Sequence, residues 1–147
     1  MTRLAFSLFA LCAACTPNLT TEFVGEWSLS SGQKSENCGP GLQKTSPLAA
    51  GTLELTASST GPDSVRLVWR AFNAGTLQGS CEMTGTATET TRLQLRSRSC
   101  SFGSPFSIID GEITLTESRA LNLLWQADVP AGSGTCRQTW DALFVRK

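Results

Sequence analysis

From Phe23 onward, apolar and polar residues alternate with a period of two almost throughout, the mark of strands buried on one face. Phe23, Gly25, Trp27 and Leu29 share one face; Val24, Glu26, Ser28 and Ser30 share the other. Leu53, Leu55 and Ala57 alternate next, and the turn SSTGPD at 58–63 separates them from Val65, Leu67, Trp69 and Ala71. Leu77, Gly79, Cys81, Met83 and Gly85 then alternate with Gln78, Ser80, Glu82 and Thr84. Leu93 and Leu95 follow, and after a break around 102–105 come Ile109, Gly111, Ile113 and Leu115. Leu121, Leu123 and Trp125 precede a PAGSG loop at 130–134, and Trp140, Ala142 and Phe144 close the pattern. The stretch from Ser31 to Gly51, rich in Gly, Ser and Pro, reads as a long loop carrying Cys38. No segment has a helical period. The class is therefore all-β, with about eight antiparallel strands over 23–147 as a single domain. One apolar face per strand predicts an up-and-down barrel, a sheet closed on itself without exposed edges; a two-sheet β-sandwich is the alternative.

The alternation does not begin at residue 1. Arg3 is followed by an apolar run from Leu4 to Ala14, too short to span a bilayer as a helix. It has the length and flanks of a signal peptide, residues 1–14, removed on export. Cys12-Ala13-Ala14-Cys15 resembles the bacterial lipobox, in which small residues precede a lipid-acceptor cysteine; Cys12 stands where that pattern prefers Leu. The resemblance implies lipid on Cys15, a membrane as partner and a short tether over 15–22. It places the protein in the cell envelope. Thr16 is not the Asp that holds lipoproteins at the inner membrane in enteric bacteria, so the outer membrane is the expected site, facing the periplasm or the cell surface.

Cysteine arithmetic agrees with this processing. The chain has 6 cysteines. With Cys12 removed and Cys15 acylated, Cys38, Cys81, Cys100 and Cys136 remain, an even set in an oxidising compartment. If Thr90 and Thr91 centre a hairpin, Cys81 falls opposite Cys100. A one-residue bulge near Ser97–Ser99 would bring Cys100 into phase. Cys81–Cys100 is thus the preferred pair and Cys38–Cys136 follows by elimination, although spacing alone permits other connectivities.

Phe23-Val24-Gly25-Glu26-Trp27 resembles the Gly-x-Trp start of the first strand in lipocalin-like barrels. That resemblance implies that Trp27 plugs one end of the barrel and that a basic residue late in the last strand, here Arg146, packs over it. The group's second motif carries a Tyr, and this chain has none; it also ends without the group's C-terminal helix. Periplasmic metalloprotease inhibitors are similar small Gly-x-Trp barrels and imply an interaction module, with residues 16–22 or the 31–51 loop meeting an envelope protein partner. The Cys81–Cys100 region, Gly111-Glu112-Ile113-Thr114-Leu115-Thr116 and Cys136 resemble four-cysteine Gram-negative lipoproteins of unknown function.

Charge and composition narrow the chemistry. Lys plus Arg number 12 and Asp plus Glu number 12, and no basic patch stands out, which argues against nucleic acid. With His at 0 there is no Ser–His or Cys–His nucleophile and no imidazole metal ligand. Asp110 and Glu112 lie two apart on one outward face and read as a solvated strand face rather than an acid–base pair. Arg92, Arg96 and Arg98 read as a solvated edge. No enzyme activity, cofactor or metal is expected. The 4 tryptophans all fall on inferred inward faces. They read first as packed core, and second as the wall of a small apolar cavity lined by Trp69, Trp125, Leu67 and Leu123, holding a small hydrophobic ligand.

Overall fold

The structure, a computed structural model, describes residues 18–96, 98–102 and 104–147. The expected signal peptide at 1–14 and the lipid-acceptor Cys15 lie outside the described residues.

One antiparallel sheet holds every strand among the described residues, and it closes on itself. β1 (Gly25–Asn37) pairs along its length with β10 (Gly134–Arg146), from Trp27 opposite Arg146 to Asn37 opposite Arg137. The other side of β1 is shared by two short strands, β2 (Gln43–Pro47) at one end and β3 (Gly51–Ala57) at the other. Next come β4 (Ser64–Asn73) and β5 (Thr76–Glu89). Another interrupted pair, β6 (Arg92–Leu95) and β7 (Arg98–Phe102), lies between β5 and β8 (Ser104–Leu115). β9 (Leu121–Ala131) joins β8 to β10. The ten segments thus make an eight-stranded up-and-down barrel, because two of its staves are each built from two pieces. A sandwich would leave the circuit of ladders open; the β1–β10 ladder closes it.

The period-two pattern explains the interior. Leu53, Leu55, Val65, Leu67, Leu93, Ile113, Leu121, Leu123 and Phe144 are all 0% exposed. Burying each such side chain contributes about 1.5–3 kcal/mol before entropy is counted. Glycines fit where staves crowd: a Cβ on Gly85 would stand 2.6 Å from Leu93 Cδ2.

Bulges change which residues face in, and here the expectations need correction. The Ser31–Gly51 stretch is not a long loop. β1 runs on to Asn37, and β2 returns beside it. A register shift between Leu29 and Ser31 flips the phase, so Trp27 and Leu29 are succeeded on the inner face by Gly32, Lys34 and Glu36. A second shift between Ile108 and Asp110 turns Ile109 outward, 39% exposed, although simple alternation groups it with Gly111. Residues 18–22, the described part of the expected 15–22 tether, fold against the barrel. Thr20 is buried, its amide donates to Asn18 Oδ1 at 3.0 Å, and Phe23 N donates to Thr20 O at 3.0 Å.

Candidate functional site

The two ends of the barrel differ, and the difference comes from side chains. At one end Trp27 is fully buried and its Nε1 donates to Phe23 O at 3.0 Å. The Arg146 guanidinium lies 4.8 Å above the Trp27 ring, and its Nη2 donates to Glu22 O at 3.0 Å and Val24 O at 3.3 Å. Beside it Gly25 holds φ +146°, a backbone conformation that side-chain-bearing residues rarely adopt. This end is plugged by aromatic, cation and backbone together.

The opposite end is aromatic beneath and polar above. Trp69 and Trp125 stack at 4.7 Å, and Trp140 meets Trp69 edge-on at 5.4 Å. Phe106 stacks on Trp140 at 6.0 Å. Trp125 Nε1 is buried with no hydrogen-bond acceptor among the described residues, an arrangement that costs about 1–3 kcal/mol. Above the indoles the phase shift in β1 sends Lys34 and Glu36 inward. Gln138, 5% exposed, bridges them to the aromatics: its Nε2 donates to Glu36 Oε2 at 3.0 Å, and its Oε1 accepts from Trp140 Nε1 at 3.0 Å. Lys34 Nζ lies 3.6 Å from Glu36 Oε2 and 5.9 Å from the Trp140 ring. The sequence reading missed this network, because Lys34 and Glu36 sat in the presumed loop.

Beside the network the wall has a slit. The β3–β4 ladder ends near Gly51 opposite Ala71, with Phe72 N donating to Ala50 O at 2.7 Å. Beyond that point, among the described residues, β2 pairs with β1 alone. A cavity of about 380 Å³ occupies the gap. Ser46, Pro47, Leu48 and Ala49 form one wall and Ala71, Asn73 and Gln78 the other, with Trp69 and Trp140 as floor and Lys34 at the rim. Of the four side chains expected to line a cavity, only Trp69 reaches this one. Trp125 backs it through the stack, while Leu67 and Leu123 lie deeper, wholly enclosed.

Two disulfides frame this end. Cys38–Cys136 ties the end of β1 to the start of β10 just beyond Glu36 and Gln138, and Cys81–Cys100 ties β5 to β7. Glu36, Cys38 and Cys136 gather their ligand atoms within 4.8 Å, but the two sulfurs are bonded to each other and neither is a thiolate. Asp110 and Glu112 stand on the outer face and are already engaged: Asp110 Oδ1 accepts from Gln94 at 2.9 Å, and Glu112 lies 3.5 Å from Arg92. Arg96 and Arg98 are exposed.

No protein-family model and no curated protein matches the sequence. Solved structures do match. A redesigned β-barrel superposes with a TM-score of 0.52 at 12% identity, over 90% of this chain and 97% of its own. A candidate outer membrane protein from Bacteroides fragilis gives 0.50 at 11% identity, over 88% of this chain; the match spans about half, 53%, of that protein. An S-type phycobiliprotein lyase from Guillardia theta gives 0.49 at 10% identity, over 86% of this chain and 89% of its own. The fold is a lipocalin-like barrel. At such identities the likeness extends to the fold alone.

Proposed function

We propose that the mature protein is a lipid-anchored cell-envelope protein whose barrel binds a small hydrophobic ligand without chemically altering it. The observation that carries the binding reading is the cavity over the Trp69–Trp140 floor: concave, part aromatic and aliphatic and part polar, and within the size range of small-molecule sites. Two disulfides support an oxidising compartment outside the cytoplasm. The lipobox-like Cys12–Cys15 segment supports the anchor, with lipid on Cys15 and the outer membrane as its site. A chain with no His, whose neighbouring outward carboxylates Asp110 and Glu112 are each engaged across strands, favours binding over catalysis. The alternative of a protease-inhibitor-like interaction module loses its docking loop, since 31–51 is largely strand.

The test is mass spectrometry of the protein gently extracted from native membranes. Intact mass should begin at Cys15 with a diacylglyceryl and an acyl group, and reduction should add four hydrogens for the two disulfides. Native spectra should carry a bound small molecule that unfolding releases. An unlipidated mass with another start overturns the anchor. A ligand-free native spectrum, joined to no quenching of tryptophan fluorescence by any apolar compound screened, overturns the binding role.

A further inference from the structure

The geometry points to a particular ligand class for the slit between β2 and β4: a flat, largely apolar ring bearing one acidic group. This rests on the small-ligand reading above and names what the ligand is. The first reason is the shape beneath the cavity. Its floor is indole, and below the floor the barrel is filled by Leu53, Leu67 and Leu123, each 0% exposed. A long acyl chain has no tunnel to enter. A ring of one or two cycles lies against the half-buried Trp140, with the enclosed Trp69 beneath, and gains aromatic contact there.

The second reason is charge. Among the described lining residues Lys34 is the one charged group. Its position is fixed from both sides, opposite Trp140 on β10 and opposite Ser46 on β2. Its ammonium lies 3.6 Å from Glu36 Oε2, a loose ion pair rather than a short hydrogen bond, and 5.9 Å from the Trp140 ring. Glu36 does not line the cavity and is itself held by Gln138. The cavity is therefore faced by a cation whose counter-charge sits behind it, and an acidic group on the ligand completes the ammonium from the open side. The side amides of Asn73 and Gln78 and the Ser46 hydroxyl add polar partners at the same rim.

The experiment uses the disulfide-bonded mature protein and three probes: 2-naphthoate, the uncharged 2-naphthylmethanol, and dodecanoate. Titration calorimetry and tryptophan quenching should give one site for 2-naphthoate, with each of the other two at least tenfold weaker. Lys34→Met should erase the preference of naphthoate over naphthylmethanol, and Lys34→Arg should restore it. Equal affinity for the acid and the alcohol, or a preference untouched in Lys34→Met, overturns the acidic group. Tighter binding of dodecanoate overturns the ring. If none of the three binds while native spectra still carry a small molecule, the ligand class falls and the binding reading stands; if those spectra are empty too, both fall.

Discussion

Arg146 shows how much one side chain can do at a barrel end. It covers the Trp27 ring and supplies two hydrogen bonds to the backbone of the entering chain. A cation over an indole contributes about 0.5–2 kcal/mol, depending on burial. Arg146→Ala should therefore lower unfolding stability by about 1–2 kcal/mol in urea, and Arg146→Lys by less, since it keeps the charge but not the planar fork. An unchanged midpoint for Arg146→Ala would show the plug to be held by packing alone. Glu82 carries a second residue-scale expectation. Its carboxylate accepts two hydrogen bonds from Arg66, at 2.8 and 2.7 Å, and these hold its pKa below the ordinary glutamate range. A depressed carboxyl stabilises the fold above its unfolded pKa, and that contribution fades as pH falls through the folded value. The pair is exposed, so the contribution is small. An NMR titration should find the Glu82 midpoint low, and Arg66→Met should move it back up.

At the scale of strands, the two disulfides constrain very different lengths of chain. Cys38–Cys136 spans 98 positions and Cys81–Cys100 spans 19. In the chain-entropy view these restrict the unfolded state by about 4.7 and about 3.2 kcal/mol. The double Ser variant at 38 and 136 should therefore unfold at lower urea than the one at 81 and 100. The reverse order would mean that the longer bridge is offset within the folded state. Much of this element map was legible beforehand, because Leu53 and Leu55, and again Leu93 and Leu95, advertise their inner face by alternating with polar neighbours. Bulges were not legible. One extra residue at Leu29–Ser31 inverts the phase, and a Lys and a Glu on the inner face look, in sequence, like the polar side of a loop. The slit escaped notice for a related reason: the loss of β2–β4 pairing is a fact of register between distant segments, and no local pattern records it.

For the whole molecule, closure is the step expected to limit folding. β1 must find β10 roughly a hundred positions away along the chain, and folds dominated by such non-local pairing refold in milliseconds to seconds. Stopped-flow tryptophan fluorescence with the disulfides intact should show refolding in that range; microsecond refolding would mean that the β1–β10 ladder is not limiting. Among the described residues the same topology leaves an unfinished place beside β2. Where β2 faces the slit, a row of backbone donors and acceptors goes without a neighbouring strand, and such a row is a template on which a second molecule can add itself. The sequence there is Gln43-Lys44-Thr45-Ser46-Pro47: a lysine, a proline that has no N–H to offer, and only five residues of strand. These are the features that keep a solitary edge solitary. A gap in the wall is thus flanked by a segment whose chemistry disfavours the strand-by-strand growth of fibres.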